Sequence, residues 1–142
     1  MTMYAKFDDS LITDNALIDS QHKELIDRIN SLLRCCEEGG GKVEAIKMLD
    51  YLSDYTDFHF NDEENLQIQI AYPGLEEHKK KHNEFRNAVK ELHEMLIEEE
   101  GPSEAFVDAV KKNVIDWLYD HIKGFDCSVA TFMHLNSNPD LI

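Results

Sequence analysis

Apolar residues recur at alternating steps of three and four positions along four long stretches of this chain. Because an α-helix turns once in about 3.6 residues, this spacing puts the apolar side chains on one face, and the pattern predicts four amphipathic helices. Most glycine and proline residues fall between these stretches, where they end one helix and open the next. The predicted helices cover residues 19–38, 42–71, 75–100 and 103–136, and Asp19 is expected to cap the first one.

The short connections between the predicted helices make each helix antiparallel to the next. The predicted fold is therefore all-α, an up-down-up-down four-helix bundle. With 142 residues, the chain is expected to form one domain, 1–142, because two separate cores would each be small. Residues 137–142 form a short polar tail. Residues 1–18 form an N-terminal arm that is expected to pack along the bundle through its apolar side chains Tyr4, Phe7, Leu11, Ile12 and Leu17.

The chain is strongly acidic, with 29 Asp and Glu residues against 14 Lys and Arg residues and a net charge of −15. Such a charge repels a phosphate backbone and an anionic membrane surface, which argues against nucleic-acid and membrane partners. No apolar run approaches the roughly 20 residues of a membrane span, and the first residues do not resemble a secretory signal. The three cysteines form no disulfide framework. We therefore expect a soluble, cytoplasmic protein.

The predicted core faces carry polar residues where a bundle normally buries leucine. Five histidines and one glutamate lie on these faces, and every predicted helix contributes at least one of them. A lone histidine on an apolar face is more often a hydrogen-bonded core residue than a ligand, but six such residues on four helices need a common explanation. They are His22, His59, Glu63, His78, His82 and His121.

The fourth predicted helix carries one further acidic residue, Asp126, five positions after His121. Five residues turn an ideal helix by about 500°, so these two side chains cannot share a face of an unbroken α-helix. A π-bulge or a short break near Lys123 and Gly124 would restore the alignment. We therefore expect an irregularity there that directs the Asp126 carboxylate inward with the histidines.

Two buried carboxylates need a positive charge nearby, and the predicted core faces offer no Lys or Arg. The pairs His59/Glu63 and His78/His82 are spaced by four positions, which puts two donor atoms on one side of a helix for a single ion. Five imidazoles and two carboxylates exceed what one ion takes while leaving room for a substrate. The set therefore predicts two metal ions, with Glu63 and Asp126 as the bridges. Mixed nitrogen and oxygen ligation suits iron, and zinc and manganese remain open.

Four segments resemble the ligand motifs of hemerythrins, most nearly the single-domain bacterial kind. They are IDSQHKEL from Ile18, HFNDEE from His59, YPGLEEHKKKH from Tyr72 and WLYDHIKGFD from Trp117. The resemblance implies a cofactor of two iron ions (Fe2+/Fe3+) joined by a bridging oxo or hydroxo group. It implies that one iron is held by His78, His82 and His121, the other by His22 and His59, and both by Glu63 and Asp126.

The resemblance implies reversible binding of dioxygen, for storage, delivery or scavenging, by a protein that is not an enzyme. Dioxygen would take the open position on the iron with two histidines. Two residues depart from the family pattern: Val129 stands where tyrosine is common and Phe7 where tryptophan is often found. The missing tyrosine hydroxyl changes the hydrogen bonding around the ligands. The candidates for the wall of the oxygen pocket flank the ligands in sequence and are Leu25, Phe60, Trp117, Leu118 and Ile122.

Three other functions would use the same ligands. The protein could be an oxygen or redox sensor that acts through a partner, and a pull-down that depends on oxygen would reveal the partner. It could be an enzyme that reduces peroxide or nitric oxide, which turnover assays with an electron donor would detect. In the third function the metal only stabilises the bundle, so chelation would unfold a protein that has no oxygen chemistry.

Overall fold

The computed structural model of the chain describes residues 5–13, 15–99 and 101–137, with side chains described as far as residue 133. These residues contain no β-strand, and the predicted all-α four-helix bundle is confirmed. Each helix packs against the next one in the chain. The helices are α1 (Ala16–Glu37), α2 (Lys42–Gln69), α3 (Leu75–Glu98) and α4 (residues 104–137).

Helix α1 begins one turn earlier than the sequence predicts, and its expected cap was wrong. It starts at Ala16, where Asn15 has an extended backbone and accepts a hydrogen bond of 3.0 Å from the Ile18 N–H. Asn15 thus supplies the capping oxygen that was expected from Asp19. The Asp19 carboxylate instead accepts hydrogen bonds from the backbone N–H and the hydroxyl of Thr13, at 2.9 and 2.8 Å. It therefore ties the N-terminal arm to the first turn of the bundle.

Helix α4 is continuous but is not α-helical throughout. Its three α-helical parts are separated by two π-helical segments, in which each turn takes one residue more than an α-turn. The parts are Glu104–Val110, Trp117–His121 and Cys127–Ser137, and the π-helical segments are Lys111–Asp116 and Ile122–Asp126.

The second π-helical segment confirms the irregularity that was predicted from the five-residue step. It spans positions 122–126, and both His121 and Asp126 are buried, each with 3% of its surface exposed. The first π-helical segment was not predicted, because the apolar pattern of Val107, Val110 and Val114 continues in regular α-helical steps across its start.

The N-terminal arm packs on the bundle through its backbone and through Leu11. The side-chain amide of Asn30 pairs with both the N–H and the carbonyl of Ala5, at 2.8 and 2.9 Å. The N–H of Lys6 donates to the hydroxyl of Tyr119 at 2.7 Å. Leu11 is buried in the core with 1% of its surface exposed. These contacts hold the arm against α1 and α4.

The apolar residues expected to anchor the arm differ in their burial. Phe7 packs partly buried against the core, and the Lys23 ammonium lies 5.0 Å from the centre of its ring. The expectation was wrong for Ile12 and Leu17, which are 43% and 62% exposed. Leu17 faces solvent because α1 already includes it and turns its other side to the core. Tyr4 and residues 138–142 of the tail lie outside the described residues.

An apolar core fills the rest of the bundle. Ile29, Leu32, Leu49, Leu96 and Val114 are typical of it, each with at most 1% of its surface exposed. Among the described residues, no helix has the length and apolar character that a bilayer crossing requires. The polar cluster described below is also buried inside this bundle.

Candidate metal centre

Seven polar side chains converge inside the bundle, and none exposes more than 3% of its surface. Helix α1 supplies one of them and each of the other three helices supplies two. The structure thus brings together all seven residues that the sequence analysis proposed as metal ligands. They are His22, His59, Glu63, His78, His82, His121 and Asp126.

The donor atoms of these residues form two groups, and within each group all donor atoms lie within 4.8 Å of one another. One group has three imidazoles and the other has two, while both carboxylates belong to both groups. The larger group contains His78, His82 and His121, the smaller contains His22 and His59, and Glu63 and Asp126 are shared.

The Asp126 carboxylate directs a different oxygen toward each group. Its Oδ1 lies 3.0 Å from Nε2 of His78 and 3.3 Å from Nε2 of His121. Its Oδ2 lies 2.8 Å from Nε2 of His22. Asp126 is the last residue of the π-helical segment Ile122–Asp126, and its carboxylate belongs to both groups.

The Glu63 carboxylate has the same divided orientation. Its Oε2 lies 3.6 Å from Nε2 of His78, in the three-histidine group. Its Oε1 lies 3.9 Å from Nε2 of His22 and is in close contact with Nε2 of His59. Each carboxylate therefore offers one oxygen to each group of histidines.

Several of these atoms are close together without forming hydrogen bonds. Both oxygens of Asp126, Oε1 of Glu63 and Nε2 of His22 and of His82 have no hydrogen-bond partner among the described residues. Each unpaired buried polar atom costs about 1–3 kcal/mol. Two ligand atoms about 2.1 Å from one ion and at right angles to each other lie about 3.0 Å apart, close to the 2.8–3.3 Å separations around Asp126. The donor set therefore fits cations of the iron type.

Behind the cluster, three imidazoles use their Nδ1 atoms to contact side chains that the sequence analysis did not single out. Such partners fix the tautomer and orientation of a ligating histidine, so that Nε2 faces the metal. The pairs are His59 with Oε1 of Gln21 at 2.6 Å, His78 with the amide of Gln67 at 2.8 Å, and His82 with Oε2 of Glu64 at 2.7 Å.

The sequence contains a signal for only one of these partners. Gln67 follows Glu63 by four positions, so it lies on the same face of α2 and is fully buried. Gln21 and Glu64 are direct neighbours of proposed ligands in sequence, and adjacent residues on a helix point in different directions. Their role depends on how neighbouring helices pack, and the sequence pattern does not contain that information.

The surroundings of two histidines shift their pKa values in opposite directions. Burial lowers the pKa of His22, but the nearby Asp126 and Glu63 carboxylates outweigh burial and raise that pKa to about 9. Burial and the neighbouring imidazoles lower the pKa of His82 to about 2. Burial by itself would raise the pKa of Asp126, but the surrounding imidazoles hold it well below its usual value. The Asp126 carboxylate is therefore ionised at neutral pH.

Comparison with known proteins assigns the chain to one family. A family model described as the hemerythrin HHE cation binding domain matches residues 13–126. The chain belongs to the hemerythrin family. A bacteriohemerythrin from Pseudomonas paraeruginosa is 32% identical over 118 residues, which cover 83% of this chain and 74% of that protein. A myohemerythrin from Riftia pachyptila is 31% identical over 120 residues, which cover 84% and 86%.

Solved hemerythrin structures share the fold of this family member. The crystal structure of a wild-type hemerythrin superposes with a TM-score of 0.77 at 25% identity, covering 90% of this chain and 96% of that one. A single-site mutant of hemerythrin superposes with a TM-score of 0.78, covering 93% and 98%. The match therefore extends over nearly the whole hemerythrin fold.

Aromatic rings enclose the three-histidine group of this hemerythrin-family chain. Phe60 stacks on His82 with ring centres 3.8 Å apart, and Trp117 stacks on His121 at 4.5 Å. Phe125, which the sequence analysis did not propose, also stacks on His121, at 5.3 Å. Of the five residues predicted for the oxygen pocket, Trp117 is partly buried. The other four, each with at most 2% exposed, are Leu25, Phe60, Leu118 and Ile122.

Proposed function

We propose that this hemerythrin-family chain binds dioxygen reversibly at a centre of two iron ions, for storage, delivery or scavenging of oxygen. One observation carries the proposal: five buried imidazoles form two groups that share two carboxylates. The wider predictions of one domain over residues 1–142 and of a cytoplasmic location stay predictions.

The proposed assignment gives one iron the larger histidine group and the other iron the smaller one. It is supported by the carboxylates, because each directs one oxygen toward each group, as bridging ligands require. The iron held by two histidines would have fewer protein ligands than the other, which would leave it a position for dioxygen. In this proposal His78, His82 and His121 hold one iron, His22 and His59 the other, and Glu63 and Asp126 bridge them.

The two irons, when bound, would supply electrons to dioxygen and recover them on its release. The protein's own part is to fix and shield the site. The Nδ1 partners hold the histidines with Nε2 inward. The apolar residues proposed for the pocket, Leu25, Phe60, Trp117, Leu118 and Ile122, would exclude water from the cluster. Phe60 and Trp117 contact it on the three-histidine side.

We further propose that the protein is a carrier and not an enzyme. Neutral imidazoles outnumber carboxylates five to two in the cluster, which favours the ferrous state more than the glutamate-rich ligand sets of other di-iron bundles do. Such a site is less prone to activate oxygen. An oxygen sensor with the same centre would bind a protein partner in an oxygen-dependent way. A reductase with the same centre would turn over peroxide or nitric oxide with an electron donor.

The first test is iron content together with visible spectra of the reduced protein under nitrogen, then air, then nitrogen again. We expect two irons per chain and an absorption band that appears with air and disappears under nitrogen. His82→Ala should lose iron and the band, while His93→Ala, at a half-buried position outside the cluster, should retain both. Normal oxygen binding by His82→Ala would refute the assignment. Rapid turnover of peroxide or nitric oxide with an electron donor would refute the carrier role.

A further inference from the structure

A cavity reaches the carboxylates from the bundle surface, near the N-terminal arm. Its inner wall contains the buried residues Glu63, Gln67 and Asp126, and its outer wall includes the half-buried Asn15 and Met133. The space available to the centres of water-sized molecules is about 10 Å³, close to what one water molecule needs. None of the five residues proposed for the oxygen pocket lines this cavity. It therefore approaches the cluster by a different route.

One residue of the cavity wall is small and apolar. Val129 lines the cavity and has 6% of its surface exposed. Its side chain offers no polar atom to the surrounding groups, so the polar atoms at the cavity need another partner.

Gln67 brings an unpaired polar atom to the same cavity. It is fully buried, and Nε2 of its amide lies 2.8 Å from Nδ1 of His78. The amide oxygen, Oε1, has no hydrogen-bond partner among the residues that the structure describes. Because Nε2 of His78 faces Asp126 and the cluster, a metal there puts the ring proton on Nδ1, which then needs an acceptor. Exchanging the amide oxygen and nitrogen of Gln67, two atoms of nearly equal size, supplies that acceptor. The unpaired group is then the amide N–H, a donor.

We propose that this cavity holds one ordered water molecule, which accepts a hydrogen bond from the Gln67 amide and donates one to a carboxylate oxygen of Glu63 or Asp126. Water suits the site because it both accepts and donates within the volume of a single small molecule. An apolar gas such as dioxygen would leave the amide unpaired at a cost of about 1–3 kcal/mol.

This inference deepens the proposed function and rests on it, because the roles of the amide atoms follow from a metal on the Nε2 side of His78. The proposed water molecule contacts the carboxylates from a cavity that is separate from the oxygen pocket. Protons can then exchange with the carboxylate side of the cluster while the dioxygen position stays dry.

The test is a high-resolution crystal structure of the iron-loaded protein and of two variants at the same position. Val129→Leu adds one methylene group that occupies the space of the water, and Val129→Thr keeps the shape of valine. We expect water density within hydrogen-bond distance of the Gln67 amide in the wild type and in Val129→Thr, and its loss in Val129→Leu.

Wild-type density without this water, or with the cavity closed by side chains, overturns the inference. Retention of the water in Val129→Leu also overturns it, because the cavity would then not be bounded as described. If Val129→Leu fails to fold, the wild-type and Val129→Thr structures decide the question. Crystal density does not depend on oxygen binding, so this water in an iron protein that fails to bind dioxygen would refute the proposed function alone.

Discussion

Glu64 is the only carboxylate among the observed Nδ1 partners of the clustered histidines. Replacing it with glutamine tests whether this charge lowers the reduction potential of the bound irons. Its Oε2 lies 2.7 Å from Nδ1 of His82, and 17% of its side chain is exposed, so solvent screens the charge only partly. Gln21 and Gln67, the corresponding partners of two other histidines, are neutral amides. Glu64→Gln keeps the size and the hydrogen bond and removes the charge.

The expected effect is a higher reduction potential. A hydrogen bond to a charged group contributes about 1.5–3 kcal/mol and a neutral one about 0.5–1.5 kcal/mol, so the substitution removes about 1 kcal/mol. The negative charge behind the imidazole stabilises ferric iron more than ferrous iron, and its removal therefore favours reduction. For one electron, 1 kcal/mol corresponds to about 40 mV. We expect Glu64→Gln to raise the midpoint potential by up to about 40 mV.

The assay is a spectroelectrochemical titration of the iron-loaded protein at fixed pH. Glu76→Gln is the matched control, because it removes the same charge from a side chain that is 83% exposed near the start of α3. The control should leave the potential unchanged. An unchanged or lowered potential in Glu64→Gln, or an equal shift in the control, would refute the reasoning.

Two further predictions concern stability and protons. Phe60→Ala removes a ring that is 1% exposed and stacked on His82, so we expect urea titration of the metal-free protein to show a loss of about 3–5 kcal/mol in the free energy of unfolding. Phe58→Ala, whose ring is 53% exposed on the same helix, should change it little, and equal losses would contradict the argument. Because the pKa of His22 is raised to about 9, metal uptake at pH 7 should release its proton, and the affinity for metal should rise with pH up to about that value. Calorimetry in buffers of different protonation enthalpy measures the release, and uptake without it would contradict the role of His22.

The helices and the polar core positions could be predicted from the sequence because both depend on local spacing. Apolar residues that alternate at steps of three and four lie on one face of a helix and on no single face of a strand. The pattern therefore marks where each helix runs, and the four helices lie within a few residues of their predicted bounds. The same reasoning placed His22, His59 and His78 inside. Even the π-helical segment before Asp126 was predictable, because a five-residue step cannot keep two side chains on one face of an α-helix.

Other features depend on how the helices pack, and only the tertiary structure decided them. Gln21 reaches His59 from a different helix, and Glu64 on α2 reaches His82 on α3. The division of each carboxylate between two groups of histidines also needs side chains from all four helices. Such contacts depend on the crossing angles and offsets of the helices and on side-chain rotamers, which the spacing along one helix does not specify.

Val129 illustrates the difference between what the sequence predicts and what the tertiary structure decides. The sequence by itself places a small apolar residue three positions after Asp126, and the resemblance to hemerythrins implies that tyrosine is common there. Only the packing of the arm, α2 and α4 determined that Val129 lines a cavity beside the carboxylates and Gln67. Residue types and their periodicity determine which groups are buried, whereas the meeting of separate helices determines which buried groups face one another.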